Sequence, residues 1–145
     1  MKKITVPLEL INLHDDGFHL LVKVVIFGKK FNAVLDTGAS KTVLDKTTIE
    51  KYITTEELLQ SEKLSTGLGT NSMESYTFVL PSLKIGKLKL KQFEAAVLDL
   101  STISSAYEIL NLPPVIGVLG GDILFRHGAV INYEKLVLKL LRSRI

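Results

Sequence analysis

The sequence predicts a mostly β chain with a few short helices. Two observations carry that prediction. Short apolar, β-branched runs recur along the chain, among them Phe18 to Phe27 and Phe31 to Leu35, as strands require. Clusters such as His14-Asp15-Asp16-Gly17 and Gly28-Lys29-Lys30 separate them with turn residues. No internal repeat, low-complexity tract or interdomain linker interrupts the pattern, so the expectation is one domain over residues 1–145.

In chain order, Ile4 to Leu13 alternates in part and reads as the first strand, closed by the turn at His14 to Gly17. Phe18 to Phe27 is a strong strand, and the Gly28 turn leads into Phe31 to Leu35. Asp45 is placed to cap a short helix running to Tyr52. Thr54 and Glu57 have the spacing of a capping box for a second one. Leu64 to Leu80 reads as two strands around a tip at Gly67 to Ser72, and Leu83 to Leu100 as a hairpin broken at Gly86-Lys87. Ile103 to Leu110 is a helix candidate ended by Asn111 to Pro114. Gly121 to His127 is another, with Gly128 as its stop. Val130 to Asn132 and Leu136 to Leu141 pair as a final hairpin.

Composition narrows the function classes. The chain has 145 residues, 46% hydrophobic and 23% charged, with a net charge of +3 that permits weak attraction to polyanions and demands none. There is no cysteine, which excludes disulfides and thiolate metal sites. The run after Met1-Lys2-Lys3 is too short and interrupted for a signal peptide, and no stretch reaches membrane-span length. The expectation is a cytoplasmic chain with no membrane partner.

The chemistry concentrates at Asp36-Thr37-Gly38-Ala39-Ser40, directly after the apolar run ending at Leu35. An acidic residue at a strand end, followed by Gly and small residues, sits in a tight, partly dry loop where its carboxylate needs donors or a partner. Thr37 offers a hydroxyl, and Gly38 lets backbone approach the carboxylate or a ligand. Two such carboxylates sharing one proton can activate water and protonate a leaving group. A second element, Val118-Leu119-Gly120-Gly121-Asp122-Ile123-Leu124, follows downstream. Together the two segments resemble the active-site loop and the psi-forming segment of the aspartic proteases, most nearly the retropepsin-like, single-lobe branch with its bacterial members. The resemblance runs from about Ile4 to Leu141.

That resemblance implies a closed or partly open antiparallel acid-protease barrel of one lobe, with psi loops. It implies Asp36, Thr37 and Gly38 as the catalytic group, and Gly120 and Asp122 as structural psi-loop residues. Ala39 and Ser40 would contact substrate, with Gly67, Leu68 and Gly69 at the tip of a flap closing over an extended peptide. The chain has a single Asp-Thr-Gly, and Asp99 and Asp122 lack the following Thr-Gly. An active form is therefore expected to be a homodimer giving one Asp36 from each subunit, with Thr37 hydrogen-bonding across the axis. The implied function is an aspartic endopeptidase acting on a peptide or protein substrate, with no cofactor. Ser40 stands where the viral enzymes usually carry an acidic residue, and Ser101 to Pro114 reads as an insertion relative to them. Their dimer-clasping terminal strands are not obvious here, Lys135 to Ile145 being the candidate segment.

Other chemistries find less support. His14, His19 and His127 have no metal-ligand spacing, so no metal is expected. Lys84, Lys87, Lys89 and Lys91 alternate with apolar residues as on a solvated strand face, so no nucleic acid is expected. Gly67 to Ser72 lacks the last Gly of a dinucleotide loop, and Ser40 has no nucleophile motif around it. Two alternatives stay open: a peptide-binding module that keeps the cleft without turnover, and a basic interaction protein.

Overall fold

The structure is a computed structural model and describes residues 2–60 and 75–142. Strand β1 (Lys3–Asn12) is followed by β2 (Phe18–Ile26) and β3 (Lys29–Leu35). Then come β4 (Val43–Asp45), the short helix α1 (Lys46–Ile49) and β5 (Leu59–Gln60). A long hairpin, β6 (Tyr76–Ile85) and β7 (Leu88–Leu98), precedes helix α2 (Ser101–Ile109). The chain continues through β8 (Val115–Leu119), α3 (Gly121–Leu124), β9 (Val130–Asn132) and β10 (Val137–Leu141). Among the described residues no helix is long and apolar enough to cross a membrane.

Pairing of β6 with β2 closes the sheet into a ring of six strands, β2-β6-β7-β4-β8-β3. The fold is thus the expected mostly β barrel with a few short helices. Its ladders are antiparallel except for β3–β8 and β4–β7. The first follows from the threading of β8, which is inserted between β3 and β4, neighbours in sequence, and runs parallel to β3 and antiparallel to β4. Backbone contact there is close enough to forbid a side chain on one strand. A Cβ at Gly117 would lie 1.9 Å from the Val43 carbonyl oxygen.

The barrel is filled from alternate positions. Leu20, Val22, Val24 and Ile26 of β2 face inward against Leu80, Leu83 and Ile85 of β6 and Ile116 and Leu119 of β8. Each such burial contributes about 1.5–3 kcal/mol. Leu21 and Val34 face outward, yet they too are buried, with Ile11 and Leu13, beneath Tyr107 of α2. Double-sided burial explains why β2 reads as a nearly continuous apolar run rather than an alternation. The Ser101 to Pro114 segment therefore covers the outside of β2 and β3. Its helix begins where the Asp99 carboxylate accepts the Ser101 N–H at 2.9 Å, a bond that holds Asp99 below the ordinary carboxylate range.

Local signals in the sequence recur as atoms. Asp45 caps α1 by accepting from the Thr48 N–H (3.2 Å) and hydroxyl (2.9 Å). Glu57 accepts from the Thr54 N–H at 2.9 Å, the capping-box contact, although the segment it starts is only a 3₁₀ turn. The β2–β3 turn falls one residue earlier than expected: Ile26 pairs with Lys29, leaving Phe27 and Gly28 both at positive φ. That conformation matches the twist of a two-residue hairpin, and the Phe27 ring is held against Tyr52 at 5.1 Å. Strand β4 was not anticipated; it is short and borrows its stability from β7 and β8.

At the chain's far end, β10 lies between β1 and β9, pairing with both over Val137 to Lys139. That part of the Lys135 to Ile145 segment is paired on both sides within its own chain. The expected flap tip, Gly67, Leu68 and Gly69, lies outside the described residues. The flanking pair is present: Leu59 lies opposite Thr77 and Gln60 opposite Tyr76.

Candidate active site

Strand β3 ends at Leu35 and delivers Asp36 into a loop that returns through Thr42 to β4. The loop is tied at each step. The Asp36 N–H donates to the Leu119 carbonyl at 3.0 Å, fixing its start to the end of β8. The Gly38 N–H donates to Asp36 Oδ1 at 2.9 Å, and the Ala39 N–H to the Asp36 carbonyl at 3.2 Å. A Cβ on Gly38 would stand 3.3 Å from that same Oδ1, so the glycine keeps the carboxylate's approach open. Asp36 is half-buried, whereas Thr37, Gly38 and Ser40 are exposed. The loop thus presents its carboxylate and the Thr37 hydroxyl at the molecular surface.

The far side of the loop is bound to α3. The carbonyls of Ala39 and Ser40 accept from the N–H groups of Gly121 (2.7 Å) and Asp122 (3.1 Å). Asp122 answers through its side chain. Its Oδ2 accepts the Thr42 N–H at 3.0 Å, and its Oδ1 accepts the Thr42 hydroxyl at 2.8 Å and the Ile123 N–H at 2.9 Å. The Thr42 Oγ1 in turn accepts the Gly120 N–H at 3.1 Å. A Cβ on Gly120 would meet the Lys41 carbonyl oxygen at 2.5 Å. Gly120 and Asp122 are therefore part of one clasp with the loop. With both oxygens engaged, Asp122 is not a second free carboxylate.

Sequence reasoning missed Thr42, which is 2% exposed. Its only local signal is a hydroxyl six residues after Asp36, beside the apolar start of β4. Ala39 and Ser40, expected at substrate, use their carbonyls on α3, and the Ser40 side chain faces solvent. A shallow cavity of about 270 Å³ opens beside Thr37, lined by Leu124, Phe125, Ala129 and Ile131.

A family model described as aspartyl protease matches residues 22–123, a span holding both the Asp36 loop and the Gly120–Asp122 clasp. Among solved structures, the chain is similar to a retropepsin-like aspartic protease from Rickettsia conorii. The two are 22% identical over 96% of this chain and 90% of that one, with a TM-score of 0.61. It is also similar to the retroviral protease-like domain of Ddi1 from Leishmania major, at 18% identity over 84% of this chain and 87% of that one, with a TM-score of 0.57. No curated protein sequence gives a significant match.

Proposed function

Because the chain belongs to the aspartyl protease family, we propose that it is an endopeptidase whose active form is a two-fold homodimer with one Asp36 from each subunit. The observation that carries this reading is the Asp36 loop: one per chain, anchored to β8 and α3, with its carboxylate half-buried and Thr37 on the surface. The apolar cavity beside Thr37 supplies a face against which a second copy can pack around the axis.

In this reading an extended peptide lies across the paired loops. The ionised Asp36 takes a proton from a water held between the two carboxylates as the water oxygen bonds to the scissile carbonyl carbon. The protonated Asp36 of the partner subunit gives its proton to the carbonyl oxygen, forming a neutral gem-diol. Collapse of that diol returns a proton to one carboxylate, while the other passes its proton to the amide nitrogen as the C–N bond breaks. The products are a carboxylic acid and an amine, and no covalent enzyme intermediate forms. The anchored loop holds the carboxylates in place, which limits reorganisation during the step.

The test is cleavage of a diverse peptide library, read by mass spectrometry, with wild-type protein and Asp36→Asn. The amide keeps the acceptor for the Gly38 N–H, so the fold is expected to survive while hydrolysis falls about a thousandfold or more. Wild-type rates should trace a bell in pH, since the pair must hold one proton. Undiminished cleavage by the Asn variant would refute the mechanism. Peptide binding without cleavage by a strictly monomeric wild type would favour the non-catalytic binding module instead.

A further inference from the structure

We infer that the cavity of about 470 Å³ on the side of the barrel between the 36–42 loop, β7 and the end of α3 is a binding site for a compact multivalent oxyanion of the polyphosphate type. Its cations come from three separate segments: Lys41 from the loop, Lys89 and Lys91 from β7, and Arg126 just after α3. The ion pair found within the described residues joins Lys46 to Glu50 and uses none of them. The cavity also holds two carboxylates: Asp122 is clasped to Thr42 and Ile123, and Glu94 makes no ion pair among the described residues, so the four cations outnumber the two carboxylates and leave a net formal charge of +2.

The strand pairing concentrates the charge further. Lys89 lies directly opposite Lys84, and Lys91 opposite Ser82. Facing like charges across a ladder destabilise a hairpin, and no carboxylate occupies a position of these pairs to relieve them. An anion in the cavity does relieve them. Just beyond Lys91, Gln92 lines the same cavity with a left-handed φ of 52°, a conformation that His14, Phe27, Asn111 and Leu136 also hold outside it.

Charge density selects the ligand class. Acidic side chains on one face of an extended peptide recur about every 7 Å. A polyphosphate places its charges closer together, within a space of ligand size, where a guanidinium fork and lysine ammonium groups bind phosphate oxygens well. Lys41 also links the site to the catalytic loop, since its neighbours Ser40 and Thr42 are both bonded to Asp122. Occupancy is therefore expected to stiffen that loop and raise the melting temperature.

The experiment is isothermal titration of the full chain with sodium tripolyphosphate at fixed ionic strength, with thermal melts of the same samples. One-to-one, saturable binding with a raised melting temperature is expected. The double variant Lys89→Gln with Lys91→Gln should weaken it about tenfold or more, by loss of charge-assisted contacts. Lys29→Gln with Lys30→Gln, at the β2–β3 turn and outside the cavity lining, should leave Kd within about twofold. All four lysines are exposed, so both variants are expected to fold. Equal weakening in the two variants, absence of saturation, or tighter binding of a poly-glutamate peptide of matched charge would each overturn the assignment.

Discussion

The Thr42 side chain acts as both donor and acceptor, to Asp122 Oδ1 and from the Gly120 N–H, in a buried setting. Removing its hydroxyl leaves one N–H without its partner and weakens the hold on a carboxylate. Thr42→Val is therefore expected to cost about 3 kcal/mol, measured as a fall in the denaturant midpoint, while Thr42→Ser retains most of the stability. If the clasp positions the loop, peptide hydrolysis should fall in Thr42→Val and recover in Thr42→Ser. The asymmetry between Asp36 and Thr42 explains what could be read locally. Asp36 has its chemistry spelled out by the next residues, since the Gly38 N–H that meets its carboxylate is two positions away. Thr42 finds Asp122 eighty residues away, and no neighbouring residue records that contact.

At the scale of elements, β8 threaded between β3 and β4 is the most demanding feature. Gly117→Ala places a methyl on Val43 backbone that cannot turn aside, so a loss of about 3 kcal/mol or more in chemical denaturation is expected. Gly121→Ala is the contrast: its nearest neighbour would be 3.4 Å away, and near wild-type stability is expected. Helix α2 makes a separate prediction through Tyr107, which shares a 2.6 Å hydrogen bond with His19 Nδ1 and whose phenol burial pushes up above its ordinary value of 10.0. The neutral phenol is favoured by the fold. Its contribution is complete below about pH 10 and is lost as pH rises through the higher folded value. Urea midpoints measured from pH 8 to pH 11 should fall at the alkaline end, and Tyr107→Phe should flatten that fall. Most elements were legible because their signals are local: Asp45 before α1, the turn before β3, Gly86 before β7. Strand β4 was not, because three residues carry too little pattern and its order comes from the flanking strands.

For the whole molecule, the proposed dimer sets the expected behaviour. Sedimentation at micromolar concentration should show a dimer, strengthened by a peptide that mimics the tetrahedral intermediate. Heterodimers of wild type and Asp36→Asn should be nearly inactive, since one carboxylate cannot act as base and acid in one step. A monomer that cleaves peptides would contradict this assembly. By itself the sequence determined most of the strands, the Asp45 cap of α1 and the loop bearing Asp36, because hydrophobic period, turn residues and caps act within a few positions. Tertiary structure alone decided that β8 enters between β3 and β4, that α2 covers the outside of β2 and β3, and that Asp122 closes on Thr42. These arrangements join segments distant in sequence. They are selected by packing and by the need to satisfy buried polar groups, conditions that exist only once the barrel has closed.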